Sequence, residues 1–220
     1  MLFRSGAELL HEETSFHQYI RVEQEADGRR LLSLNEGVAV HSLWRPDSVL
    51  TGGVWDAFLA IPPLLGRPLE RVAILGNALA DRSQHDGWME TLLQSQLGGQ
   101  QVRFRNMSTS GDRPNNYPRS SGQISMTAYL QHVKADVVFA FFGYNESFDG
   151  PERVGNFEAE MDAWVRHTLA QAYNGRAAPR VILVSPIAFE DLSATRDLPD
   201  GRRENANLAL YADAIGRVAR

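Results

Sequence analysis

No cysteine occurs among the 220 residues. Disulfides, zinc–thiolate sites, iron–sulfur clusters and a cysteine nucleophile are therefore excluded. The absence fixes no compartment, although nothing in the sequence points to an oxidising one. Lysine is almost missing too. Lys134 is the single example, so arginine carries nearly all the positive charge, a pattern that reads as coding bias rather than function. Acids outnumber bases, 27 to 22, for a formal net charge of −5. That balance argues against a nucleic-acid partner gripped through its phosphates. Long apolar runs are lacking. Val137–Phe142 and Val181–Val184 are strand-sized and far short of a membrane span. The opening MLFRSGAELLHEETSF carries acids early and no extended apolar stretch, so no signal peptide is expected. These absences lead us to expect a soluble cytoplasmic protein with neither a membrane nor a nucleic-acid partner.

What is present is ordinary for a globular chain: 43% hydrophobic and 22% charged residues. The length suffices to bury a core without staples, and it suits one domain or one domain with an appendage. Two styles of sequence meet near residue 76. In residues 1–70, Tyr19–Val22 and Leu31–Leu34 flank the turn signal Ala26-Asp27-Gly28, and a further strand is expected over Val38–His41. Together they predict a small antiparallel sheet. Val54–Ala60 reads as a helix stopped by Pro62-Pro63.

Residues 71–220 alternate strand and helix signals. Apolar runs at Val72–Leu75, Val137–Phe142 and Val181–Val184 suit buried parallel strands, and Val102–Met107 reads as a further strand. Helices are predicted over Gly87–Leu97, Ile124–Val133, Glu152–Tyr173 and Glu204–Ala219, the third burying Phe157, Met161, Trp164, Val165 and Leu169. Residues 108–124 form a long loop rich in Ser, Gly, Asn, Pro and Arg, a length that in a compact domain marks function or mobility. The expected fold is α/β, a doubly wound parallel sheet of about four strands with a small N-terminal antiparallel appendage.

In such sheets ligands bind outside the carboxyl ends of the strands. The residues there are Gly76-Asn77-Ala78, Ser110-Gly111-Asp112, Gly143-Tyr144-Asn145-Glu146 and Ser185-Pro186. A glycine amide and an asparagine carboxamide aimed at one point would make an oxyanion hole, although turns need glycine in any case. Gly111 and Asn145 are the candidate donors, with Asn77, Ala78, Asp112 and Glu146 around the same mouth.

Gly76–Asp81, Asn106–Asp112 and Gly143–Glu146 resemble the first three sequence blocks of SGNH (GDSL-type) hydrolases, over about residues 74–220. The resemblance implies a flavodoxin-like sheet, hydrolysis of a small acyl or carbohydrate ester without a cofactor, and oxyanion donation by Gly111 and Asn145. At the position where the family places its nucleophilic serine stands Ala78, and its Asp-x-x-His pair occurs nowhere here. The implied last strand would begin about where the chain stops at Arg220. We therefore expect an impaired esterase-like domain, with a truncated sheet edge that exposes Leu208, Leu210 and Ile215 and favours self-association. Ser110 as a surrogate nucleophile is weaker than Ser110 capping its own turn.

Residues 16–77 resemble the start of spermidine synthases instead, through Phe16–Glu23, Arg30–Gly37, Leu50–Asp56 and Arg71–Asn77. That likeness implies an aminopropyltransferase with Gln18 and Tyr19 near a polyamine entrance. The glycine-rich cofactor turn that should follow Leu75 is replaced by Gly76-Asn77-Ala78-Leu79. The chain thus reads as chimera-like, and a non-catalytic binding module or a truncated product is a further alternative. Asp86 is expected to cap a helix rather than pair with His85. His132 and His167 read as surface or packed residues, and Asp191, Asp197 and Asp200 as solvated loop carboxylates. Trp44, Trp55, Trp88 and Trp164 read as core or interface anchors.

Overall fold

The computed structural model describes residues 7–14, 19–34, 40–48, 56, 70–97, 99–194 and 197–220. The chain divides into two compact units, Met1–Ala60 and Ile61–Arg220.

The first unit is an antiparallel meander of β1 (Glu8–Thr14), β2 (Tyr19–Gln24), β3 (Arg30–Leu34) and β4 (Val40–Trp44), in that order. The β2–β3 turn forms as its residues dictate. The Gly28 amide, at φ 83°, donates to the Glu25 carbonyl at 2.9 Å, and the Asp27 carboxylate accepts the Arg29 amide at 3.1 Å. Strand β1 has no apolar alternation, because its residues are exposed throughout. Only its pairing to β2 makes it a strand, so periodicity could not announce it. The helix expected over Val54–Ala60 lies, apart from Asp56, outside the described residues, as do Gln18 and Trp55. Of the two roles expected for Trp44, core or interface anchor, the core one does not hold: it is 49% exposed, and its ring lies under the Arg30 guanidinium at 4.8 Å.

The second unit runs β5 (Arg71–Gly76), α1 (Ala78–Asp86), α2 (Trp88–Gln96), β6 (Arg103–Asn106), α3 (Met126–Val133), β7 (Val137–Phe141), α4 (Tyr144–Ser147), a 3₁₀ turn (Pro151–Arg153), α5 (Val154–Leu169), β8 (Arg180–Val184) and α6 (Arg202–Val218). Its strands are all parallel, in the order β6-β5-β7-β8. The unit is therefore the expected α/β parallel sheet. Central β5 and β7 are buried along nearly their whole lengths, as continuous apolar runs in a two-sided sheet should be.

Alternation along the strands puts Ala73, Leu75, Val138 and Ala140 on one face. Leu130 of α3, Phe157 and Met161 of α5, and Tyr211, Ala214 and Ile215 of α6 pack with them in one core cluster. Val72, Ile74, Val137 and Phe139 turn to the other face, and Ala80 of α1 and Met89, Leu92 and Leu93 of α2 are buried outside that cluster.

The region expected as one helix over Gly87–Leu97 is preceded by another, α1, and the two are separated at Gly87 in the left-handed conformation, φ 65°. The side chains of Asp86 and Trp88 lie outside the described residues. Along α5 the buried positions are Phe157, Met161 and Thr168, while Leu169 is 45% exposed, because a 3.6-residue period carries the stripe to 168 and not 169. Trp164 is half-buried, edge-on to Phe142 with ring centroids 5.5 Å apart, and its indole N–H donates to Tyr117 Oη at 2.8 Å. The apolar face of α6 is not open as expected. Leu208 and Ile215 are 3% and 5% exposed, because α6 lies on α5 with Tyr211 against Phe157; only Leu210 remains outside. Among the described residues no helix is long and apolar enough to cross a membrane.

Candidate functional site

The chain leaves β5 for β6 on one side of it and later returns to build β7 on the other side. The strand order thus reverses between β5 and β7, and a crevice opens outside their carboxyl ends. Gly76 makes this junction possible. Its φ is 133°, and a Cβ placed there would lie 2.2 Å from the Phe141 carbonyl oxygen. With no side chain in the way, the next amide, Asn77 N–H, donates to that same oxygen at 3.0 Å.

Asn77 then starts α1. Its Oδ1 accepts the Leu79 amide at 3.1 Å, a side-chain cap, and the residue is buried. Ala78 is the first helical residue, and its own amide belongs to the set that has no partner within a helix. A cavity of about 250 Å³ opens at this point, with Asn77, Ala78, Phe141, Tyr144, Val184 and Ile187 in its wall. Arg82 is the charged residue in that wall. The space is apolar with a few polar atoms, which suits a small acyl or alkyl group more than a sugar phosphate. A nucleophile at the start of α1 would face it, and the methyl of Ala78 stands there.

The other predicted residues lie beside this cavity in sequence but not in its wall. Asn145 Nδ2 donates to the carbonyl oxygens of Ser110 and Asp112, each at 2.9 Å. Both of its amide protons are thereby engaged. No peptide bond among the described residues is cis, so the Gly111 N–H points opposite to the Ser110 carbonyl that Asn145 binds. The structure brings Asn145 and the 110–111 peptide together on the carbonyl side of that peptide.

Asp112 is wholly buried and takes a fork from Arg119, Nη1 to Oδ1 at 2.5 Å and Nη2 to Oδ2 at 2.8 Å. Arg119 also donates to the Met107 carbonyl at 2.9 Å. Ser110 Oγ donates to Asp81 Oδ2 at 2.8 Å. The long loop is thus tied to α1 and α4, and Arg119 draws it back to the residue that follows β6. Sequence reasoning missed Arg119. Its only signal was that an aspartate buried in the loop after β6 needs a cation, and that cation could have come from anywhere in the chain.

Glu146 is buried, at 3% exposure. Its Oε2 accepts the Gly143 amide at 2.8 Å, while Oε1 has no partner. Burial pushes this carboxyl up to about 7, despite the Gly143 bond and the Arg113 charge that favour ionisation. Arg113 itself is spent on Asp149, at 2.5 and 3.1 Å, and on the Asn145 carbonyl at 3.2 Å; it holds the Asp149 carboxyl below its ordinary range.

No described histidine lines the cavity. His11 lies on β1 by Glu13, His85 ends α1, His132 is on α3 and His167 meets Thr127 Oγ1 at 3.2 Å. His17, and the side chain of His41, lie outside the described residues. Asp191 and Asp200 accept from nearby backbone amides and Ser193, and no described cluster of acids and histidines could hold a metal.

No family model matches the chain, and no curated protein does. Among solved structures it is similar to a proposed arylesterase from Agrobacterium tumefaciens str. C58, with 16% identity, 69% of this chain and 79% of that chain covered, and a TM-score of 0.47. It is also similar to a carbohydrate acetylesterase from Sinorhizobium meliloti, with 14% identity, coverage of 68% and 81%, and a TM-score of 0.42. The architecture rests on the strand order and register above.

Proposed function

We propose that the second unit is an SGNH-like domain that binds a small acyl ester, or the acid released from one, in the rim cavity between β5, β7 and β8, with little or no turnover. The observation that carries this reading is Ala78. It occupies the first turn of α1 where the strand order reverses, it lines the cavity, and it brings a helix amide without a nucleophilic atom. The Ala78 amide suits a carbonyl or carboxylate oxygen, and the apolar wall suits the acyl chain. Asn145 and Gly111 shape the neighbouring loop; to serve as an oxyanion donor Asn145 would have to give up one of its two carbonyl partners. An aminopropyltransferase finds less support here, since Gly76 is the single glycine in the turn before α1 and no described acidic side chain lines the cavity.

The reading is tested by measuring thermal stabilisation by short-chain carboxylates alongside hydrolysis of p-nitrophenyl acetate. The expected result is saturable stabilisation by butyrate, lost in Ala78→Phe, with hydrolysis at the buffer rate. Ordinary esterase rates would remove the impaired reading. No stabilisation by any short acid would remove the pocket assignment.

A further inference from the structure

A second cavity, of about 490 Å³, lies at the opposite part of the sheet, where Arg71, Arg103, Arg105, Tyr129, His132 and Lys134 line it. In-register pairing of Arg71 with Arg103 and of Ala73 with Arg105 places both β6 arginines on the face that α3 covers. Strand β6 is the last in the described sheet, and α3 packs over β5. Small Ala73 and the edge position leave the space open, and Tyr129, His132 and Val133 descend into it from one face of α3.

Apart from Arg71, which pairs with Glu70, the arginine and lysine groups there lack counter-ions among the described residues, in a chain of net charge −5. Arg105 is held by a neutral group: Nε and Nη2 donate to Tyr129 Oη at 3.0 and 2.6 Å, and the guanidinium lies 5.7 Å from that ring. Among the described residues neither Arg103, Arg105 nor Lys134 forms an ion pair. The carboxylates near this end, Glu70 and Asp136, serve Arg71 and Arg176. Lys134 is the single lysine of the chain and the one described non-glycine residue at positive φ, 56°, at the end of α3. A glycine would take that backbone without strain.

Edge strands do carry charges that deter pairing, and helix C-termini favour cations. Neither effect requires arginines of two strands and a lysine of a helix to face one concave space. Like charges so gathered repel unless something negative sits among them.

We propose that this cavity is a binding site for a small phosphorylated molecule, its phosphoryl oxygens held by Arg103, Arg105 and Lys134 and its organic part lying on Tyr129. Arg105 offers a planar fork already oriented by the Tyr129 hydroxyl, and Lys134 a point charge in the wall of the same cavity. The volume fits a metabolite, not a helix or a duplex.

Calorimetric titration of the full chain with inorganic pyrophosphate at low ionic strength tests the site. The expected result is one saturable site per chain, weakened about tenfold or more by Arg105→Gln and by Lys134→Gln. Tyr129→Phe should weaken it less, because it removes the orienting hydroxyl and leaves the charge. Arg166→Gln, which deletes an equal charge on α5, should leave the affinity unchanged. Circular-dichroism melts check that each variant is folded. Absence of saturable binding, or an equal loss in Arg166→Gln, would overturn the proposal. So would an oligonucleotide that binds more tightly than pyrophosphate, which would make this a nucleic-acid surface.

Discussion

The carboxamide nitrogen of Asn145 lies 2.9 Å from the carbonyl oxygen of Ser110, and at the same distance from that of Asp112. A side chain at the start of α4 thereby closes the loop that follows β6. Removing it in Asn145→Ala should cost about 1–2 kcal/mol, because the freed carbonyls regain water only in part. Asn145→Asp should cost more than alanine, since a carboxylate donates nothing and would face two carbonyl oxygens. Urea unfolding of both variants checks the order. Equal losses would show that the bonds do not hold the loop.

The same loop depends on Arg119. Asp112 has no exposed surface, and the Arg119 fork is its charged partner. Arg119→Ala leaves a buried carboxylate without its cation, and a loss of about 3–5 kcal/mol is expected. Adding Asp112→Asn to that variant should recover part of it, because the stranded charge is then gone. A double-mutant cycle in urea measures the coupling, and strict additivity of the two substitutions would contradict it.

Gly76 is a separate test of the strand junction. Alanine there would bring Cβ to 2.2 Å from the Phe141 carbonyl oxygen at a φ of 133°. The central strands would have to part, and Gly76→Ala should lose roughly 3 kcal/mol. A melting temperature within a degree or so of the wild type would show that β5 and β7 are less tightly seated than this.

The parallel sheet was legible because β5, β7 and β8 are nearly uninterrupted apolar runs, and a strand of that kind needs cover on both faces. The rim residues were legible for a related reason, since glycine and asparagine follow β5 and β7 where turns must be tight. What escaped was set by tertiary contacts. ELLHEET becomes a strand only through the edge that β2 offers it. Thr168 replaces Leu169 in the core because helix phase outranks hydrophobicity. The orientation of Asn145, toward carbonyls and not toward an empty space, depends on how the loop from 107 to 125 folds, and no local pattern encodes that.

Placing a hydroxyl at the start of α1 should not restore an esterase. Ala78→Ser supplies a nucleophilic oxygen, but no described histidine lines the cavity to take its proton, and an unactivated serine is a weak nucleophile. Hydrolysis of p-nitrophenyl acetate by Ala78→Ser should stay within about tenfold of the wild type. A rise of several hundred-fold would mean that a base reaches the rim from outside the described residues.

Glu146 should make stability depend on pH in an unusual direction. Its carboxyl is raised from 4.5 to about 7 by burial, and Oε1 has no partner to offset the charge. The groups around it divide: the Gly143 amide and Arg113 favour the ionised form, and Asp149 opposes it. Between pH 4.5 and 7 the folded chain keeps a proton that the unfolded chain releases, so stability is full below 4.5 and falls as pH rises to 7. The loss is on the order of 3 kcal/mol at most. Glu146→Gln keeps an acceptor for Gly143 and carries no charge, so it should match the wild type near pH 4.5 and exceed it above pH 7. Urea midpoints across that range, taken for both proteins, decide the matter: parallel curves would mean that water or a cation already satisfies the Glu146 carboxylate.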